Sequence, residues 1–185
     1  MFDFFLAFFW SLAYAGIVYY SFRYKNEEQL FMPFIAGLLN FAWEVNAIIV
    51  SHGHWAHILW LLLDVLILTY NIYLLKKLKR QISYGTAVLI LTAVLYVVFQ
   101  RISQGMLVSS FIIDIIMITE YVVTFKQISS RGKILIGVLK LLGDFSAWVE
   151  NLKYSNIVFA IGGFVLILNI YYVYMCIEEK REKHL

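Results

Sequence analysis

Proline and cysteine each occur once in this chain of 185 residues. The lone Cys176 excludes an internal disulfide and any cysteine-based zinc cluster. A single proline, Pro33, with ten glycines and no polar low-complexity tract, argues against disorder, a Gly/Pro linker or a collagen-like repeat. Charge is scarce too. Only 15% of the residues are Asp, Glu, Lys or Arg, while 62% are hydrophobic, far from the soluble average. The net charge of +3 would suit a nucleic-acid binder, but the basic residues sit in short loops between apolar runs. That is the arrangement of membrane flanks, and no nucleic-acid site is read.

Apolar runs near 20 residues fall at about 3–22, 30–50, 55–75, 84–100, 106–125, 134–151 and 155–177. They predict an all-α polytopic integral membrane protein, a seven-transmembrane-helix bundle forming one domain over residues 1–185. Seven helices use about 140 positions and leave about 45 for loops and tails, too few for a separate soluble domain. The fourth run is short, and the sixth carries Lys140, Asp144 and Glu150 on a weaker apolar background, so six crossings is the alternative count. The first run has an Ala13-Tyr14-Ala15 element like a signal cleavage site, but no basic residue precedes it, so it is expected to remain as a mature helix.

Loop charge orients the bundle, because cytoplasmic loops retain Lys and Arg. Twelve basic residues collect on one side, in the groups 23–25, 76–80, 126–133 and 180–183, against Arg101 and Lys153 on the other. The split predicts a cell-membrane protein with its amino terminus outside and its carboxyl terminus cytoplasmic. Tyr19, Tyr20, Tyr24, Tyr171, Tyr172 and Tyr174 cluster at predicted boundaries, where rings sit well among headgroups.

An ionisable side chain at mid-membrane costs about 2.5–3.5 kcal/mol on insertion scales, so each needs an interior partner or a wet cavity. The second run carries Asn40, Glu44 and Asn46; the third Asp64 and Asn71; the fifth Asp114 and Glu120; the sixth Asp144 and Glu150; the seventh Asn169. Helical spacing places Asn40 and Glu44 on one face, His57, Trp60, Asp64 and Asn71 on another, and Lys140, Asp144, Trp148 and Asn151 on a third. Glu44 falls about 9 Å below the outer end of its helix, and Asp64, Asp114 and Asp144 at similar or greater depth. One shared, outward-biased cavity would accommodate them.

A carboxyl withdrawn from water tends to keep its proton, which is either interhelical glue or a proton ready for delivery. For Glu44 and Asp64 both readings stand. Asp144 has Lys140 one turn away to neutralise it, and Asp114 and Glu120, six apart, face different ways and form no local pair. His52, His54 and His57 form an HxHxxH pattern able to gather a metal, but no carboxylate or thiol adjoins it in sequence. No metal or cofactor is assigned. Trp43, Trp55, Trp60 and Trp148 suit either packing or the wall of a hydrocarbon cavity that steadies a cation.

Residues 40–46, Asn-Phe-Ala-Trp-Glu-Val-Asn, together with Trp60, Asp64 and the loop 127–132, Gln-Ile-Ser-Ser-Arg-Gly, resemble the membrane-embedded terpene cyclases of fungal meroterpenoid and indole-diterpene pathways and their bacterial relatives. The match covers scattered segments across most of the chain. The resemblance implies seven helices and protonation-initiated cyclisation of an isoprenoid or epoxidised prenyl chain. It implies Glu44 as the proton-donating carboxyl; with the polar stripes and aromatics above, the candidate site is Glu44 and Asp64 as catalytic carboxyls, with Asn40, Trp43, Asn46, Trp60, Asp144, Trp148 and Asn169 around the hydrophobic guest. Chemistry of this kind needs no Asp-rich metal motif for diphosphate ionisation, and this sequence has none. The family's Asp in the last helix aligns with Asn169, which can hydrogen-bond but cannot cycle a proton; Asp64 or Asp144 would compensate by orienting Glu44. The competing reading is a small-solute transporter or receptor-like bundle of 3+1+3 parallel repeats. Ala42-Trp43 with Asn46 recurs as Ala147-Trp148 with Asn151, and Gly162-Gly163 offers a hinge. A scaffold in a membrane complex is a third class, and a retinal-type pigment is disfavoured because the mid-span lysine, Lys140, is not in the last run.

Overall fold

The computed structural model describes residues 2–27, 29–50, 52–77, 105–152 and 156–183. The described residues are all-helical: α1 (Phe2–Arg23), α2 (Phe34–Val50), α3 (Trp55–Lys77), α4 (Gly105–Val123), α5 (Lys133–Asn151) and α6 (Asn156–Glu182). The run at 84–100, and with it a seventh helix, lies outside them.

Two boundaries differ from the hydropathy reading for local reasons. α2 begins at Phe34 rather than at 30, because a residue preceding proline is pushed out of the helical region. Leu30 instead pairs with Ile128 in an isolated parallel bridge, its carbonyl accepting from the Ser129 N–H at 2.8 Å. The new helix start is served by Glu120, whose carboxylate accepts from the free N–H groups of Ile35 (3.3 Å) and Ala36 (2.5 Å). α6 runs beyond 177 to Glu182. Its last turns are polar and braced by Glu178–Arg181 and Glu179–Lys183 pairs, a length of about 40 Å that exceeds the hydrocarbon thickness.

Among the described residues, three helices are long and apolar enough to cross a membrane: Phe4–Arg23, Trp55–Lys77 and Asn156–Glu182; Phe34–Ile49 is apolar but shorter. The distribution of polarity suits a membrane location. Large apolar side chains such as Phe4, Phe8, Leu62, Val65, Phe159, Ile167 and Ile170 face outward, whereas Asn40, Glu44, Asp64, Asn71, Lys140, Asp144 and Asn169 are buried inside. In water such a surface would aggregate; in lipid it needs no cover.

Helix packing has an internal regularity. α1 packs on α3 and α5, α4 on α6 and α2, α2 on α3, and α5 on α6. Exchanging α1, α2 and α3 with α4, α5 and α6 leaves that set unchanged. The crossing between the two triplets is sealed at one end by the Leu30–Ile128 bridge, a Glu27–Arg131 ion pair and Arg131 lying 4.0 Å over the Tyr24 ring. Lys133 is buried there, donating to the Phe125 carbonyl (2.8 Å) and to Glu179 (3.1 Å). Stacked Tyr20, Tyr24 and Phe31, with Phe125 against Tyr172, fill the rest of that end.

Candidate functional site

At the opposite end the bundle forms a partly open cavity of about 230 Å³. Its walls come from the first half of α1 (Leu6, Trp10, Tyr14), the end of α2 (Asn40, Trp43, Glu44) and the start of α3 (His57, Trp60). α4 adds Ser110, Phe111, Ile113, Asp114 and Met117, and α5 adds Asp144 and Ala147. A smaller space of about 20 Å³, room for one water, adjoins the same Trp10, Tyr14 and Asn40 and reaches Tyr121 and Lys140.

Two acidic poles face each other across the larger cavity. The first is Glu44, 4% exposed, whose Oε2 lies 2.8 Å from His57 Nδ1. The α2–α3 hairpin creates this pair: His52 adopts a left-handed φ of 53°, the Gly53 N–H returns to the Ile48 carbonyl at 2.9 Å, and α3 restarts at Trp55. His57 meets Trp60 edge to face at 5.3 Å, and the Trp60 indole donates to Ser11 Oγ at 3.0 Å, which ties the wall to α1.

The second pole is built around Lys140. Its ammonium donates to Asp144 at 2.8 Å and to Asp114 at 3.5 Å, and lies 4.3 Å over the Trp10 ring. Gly143 permits that approach, since a Cβ there would sit 2.6 Å from Trp10 Cδ1. Asn169 completes the cluster, its amide donating to Asp144 at 2.6 Å and to the Val165 carbonyl at 3.0 Å.

The remaining predicted residues divide clearly. Asn40 and Trp43 line the cavity, and the buried Asn40 Nδ2 has no hydrogen-bond partner among the described residues. Asp64 is 0% exposed, both of its carboxyl oxygens lack a partner among the described residues, and it does not belong to the cavity wall. Asn46 is half-buried and also outside the wall. Trp148 leaves the stripe it was expected to share with Lys140 and Asp144: its indole donates to the Phe159 carbonyl at 3.0 Å and its ring packs on Phe159 at 5.2 Å. Asn71 is buried and donates to the Met32 carbonyl at 3.2 Å, anchoring α3 to the segment before α2. Glu120 serves the α2 start, away from the cavity. Of the HxHxxH residues, His54 and His57 meet edge to face at 5.9 Å, and no group of three potential metal ligands occurs among the described residues.

Sequence reasoning did not pair His57 with Glu44, nor Asp114 with Lys140, and it passed over Trp10 and Tyr14. The four-residue spacing of Trp10 and Tyr14 on a run otherwise rich in Phe was the available signal. The two ionic pairs had none, because each joins different helices.

No protein-family model, no curated protein and no solved structure matches the chain significantly.

Proposed function

We propose that this chain crosses the cell membrane seven times, amino terminus outside, and delivers a proton from the Glu44–His57 pair to an isoprenoid or epoxidised prenyl guest, starting its cyclisation. One observation carries the reading: a carboxyl buried in the bundle, hydrogen-bonded to an imidazole, on the wall of a cavity lined by Trp10, Tyr14, Trp43 and Trp60. The orientation draws support from the basic loop residues, since Arg131 and Lys133 gather with the ends of α1 and α6 at the sealed end, away from the cavity.

The chemistry balances within the pocket. The pair gives its proton to the terminal alkene carbon or epoxide oxygen, and in the latter case the C–O bond breaks. The π electrons of an internal double bond then form the ring C–C bond, and the last cation loses a proton to the Glu44 carboxylate. The net reaction is an isomerisation. General acid catalysis of this type contributes about 10²–10⁴-fold, and aromatic faces stabilise the cation while exclusion of water delays its quenching. Asp64, two helical turns from His57, lies outside the wall without a hydrogen bond to the pair and takes no step in this scheme. Asp144, held by Lys140 and Asn169, supplies the carboxylate that Asn169 cannot. A volume of about 230 Å³ holds roughly eight water-sized groups, so the cavity takes the reacting end of a prenyl chain while the remainder lies between helices.

Membranes bearing the native chain or Glu44→Gln are incubated with plain and epoxidised prenyl substrates, and products of unchanged mass but new retention are quantified. The variant is expected to lose at least about 10²-fold of the cyclised product. Equal product from both chains would remove Glu44 from the mechanism.

A second reading, a small-solute transporter of 3+1+3 parallel repeats, is favoured by the packing pattern that survives exchange of the two helix triplets. We rank it second because, among the described residues, the Tyr20–Phe31 and Phe125–Tyr172 ring contacts pack the end opposite the cavity.

A further inference from the structure

Among the described residues the cavity wall carries three carboxyls, Glu44, Asp114 and Asp144, and one imidazole, His57. Lys140 lines the smaller adjoining space, and Asp64 is a further buried carboxyl outside the wall. Charge buried in a low-dielectric bundle must be matched by a proton or a cation, or the bundle is destabilised. The protein already displays how it holds an ammonium, because Lys140 sits between Asp144 and Asp114 above the Trp10 ring. Of those two carboxylates Asp114 has the longer contact and the greater exposure, 16% against 2%. It retains acceptor capacity toward the cavity.

A second, independent feature points to a guest. Asn40 is 4% exposed, lies on the cavity wall, and its Nδ2 has no partner among the described residues. A buried amide N–H without an acceptor is destabilising, and a ligand oxygen would remove that penalty. Cation at one pole and acceptor at the other define a ligand class.

We propose that this cavity binds a small protonated amine whose ammonium is held by Asp114 among the Trp and Tyr faces and whose oxygen accepts from Asn40. This binding is independent of the cyclisation reading, since it needs no reaction. With room for roughly eight water-sized groups, the fitting molecules are short amino ethers and amino alcohols.

The test is direct binding to the full chain in lipid nanodiscs, read by tryptophan fluorescence and calorimetry. The probes are 3-propoxypropylammonium, its neutral isostere butyl propyl ether, and heptylammonium, which lacks the oxygen. The expected order is 3-propoxypropylammonium first, at least tenfold tighter than the ether, with heptylammonium between. Asp114→Asn should weaken the first probe at least tenfold and leave the ether unchanged; Asn40→Leu should abolish its advantage over heptylammonium. Equal affinity of ether and amine overturns the proposal, as does an Asp114→Asn chain that binds the amine normally. If Asp114→Asn loses both ligands through misfolding, Asp114→Glu decides. Amine binding retained there supports the proposal, and amine binding lost with ether binding intact refutes it. Failure here leaves the Glu44→Gln experiment unaffected, and the reverse.

Discussion

Lys140→Met isolates the energetics of the buried ionic cluster. Methionine approximates the lysine stem, so little packing changes, but Asp144 and Asp114 lose the ammonium that neutralises them at 2.8 and 3.5 Å. The side chains of Lys140 and Asp144 are 8% and 2% exposed, so water replaces little of the lost interaction. Breaking a buried pair on one side costs about 3–5 kcal/mol, and the ammonium–Trp10 contact adds about 0.5–2 kcal/mol more. For a chain of this length each kcal/mol lowers the unfolding midpoint by about 2–4 °C, so a drop of at least about 6 °C is expected. The assay is thermal unfolding in nanodiscs followed by circular dichroism. The double variant Lys140→Met/Asp144→Asn should recover part of the loss, because removing the second charge removes the unmatched carboxylate, and the cycle should show coupling of at least about 1 kcal/mol. A midpoint within about 2 °C of native for Lys140→Met, or strict additivity in the cycle, would refute the premise that this cluster is neutralised internally.

Two further substitutions probe the sealed end and the α2 start. Gly132 has φ of 73°, and a Cβ there would lie 2.1 Å from the Tyr20 ring, so Gly132→Ala combines left-handed strain with displacement of the Tyr20–Phe31 stack. A loss of at least about 2 kcal/mol in chemical unfolding is expected, and a neutral result would contradict the loop geometry. Glu120→Gln weakens the charge-assisted bonds to the Ile35 and Ala36 N–H groups, with an expected cost of about 1 kcal/mol and faster amide exchange at those two positions. Unchanged exchange there would argue against a carboxylate at that helix end.

Much of the architecture is legible in sequence because the solvent is hydrocarbon. A backbone in lipid must satisfy its own hydrogen bonds, so long apolar runs become helices almost irrespective of which apolar residues they contain. α1, α3 and α5 accordingly fall within two residues of the hydropathy boundaries. Where tertiary contacts intervene, hydropathy misleads. Leu30, Phe31 and Met32 are apolar enough to extend α2, but the bridge to Ile128 and the proline following them hold that segment extended.

The candidate site is partly legible for a related reason. Polar side chains on a helix otherwise surrounded by lipid must turn inward: of the expected interior residues, Asn40, Glu44, Asp64, Asn71, Lys140, Asp144 and Asn169 are buried, while Asn46, Asp114, Glu120 and Glu150 are half-buried. The Lys140–Asp144 pair followed from a spacing of four along one helix. Trp148 shows where periodicity stops: it shares a helix with Asp144, yet its ring goes to Phe159 on α6.

The sequence by itself determined which segments are helical, which side chains must avoid lipid, and where basic charge accumulates, because each follows from transfer of a local segment between water and hydrocarbon. Only the tertiary structure decided which buried groups became partners. His57 meets Glu44 across a hairpin, Asp114 on α4 shares Lys140 with Asp144 on α5, and Asp64 is left without a partner among the described residues. Transfer energies act on one residue at a time and are the same wherever its helix docks. Pairing depends on the distance and direction between two side chains, and packing of the helices sets both.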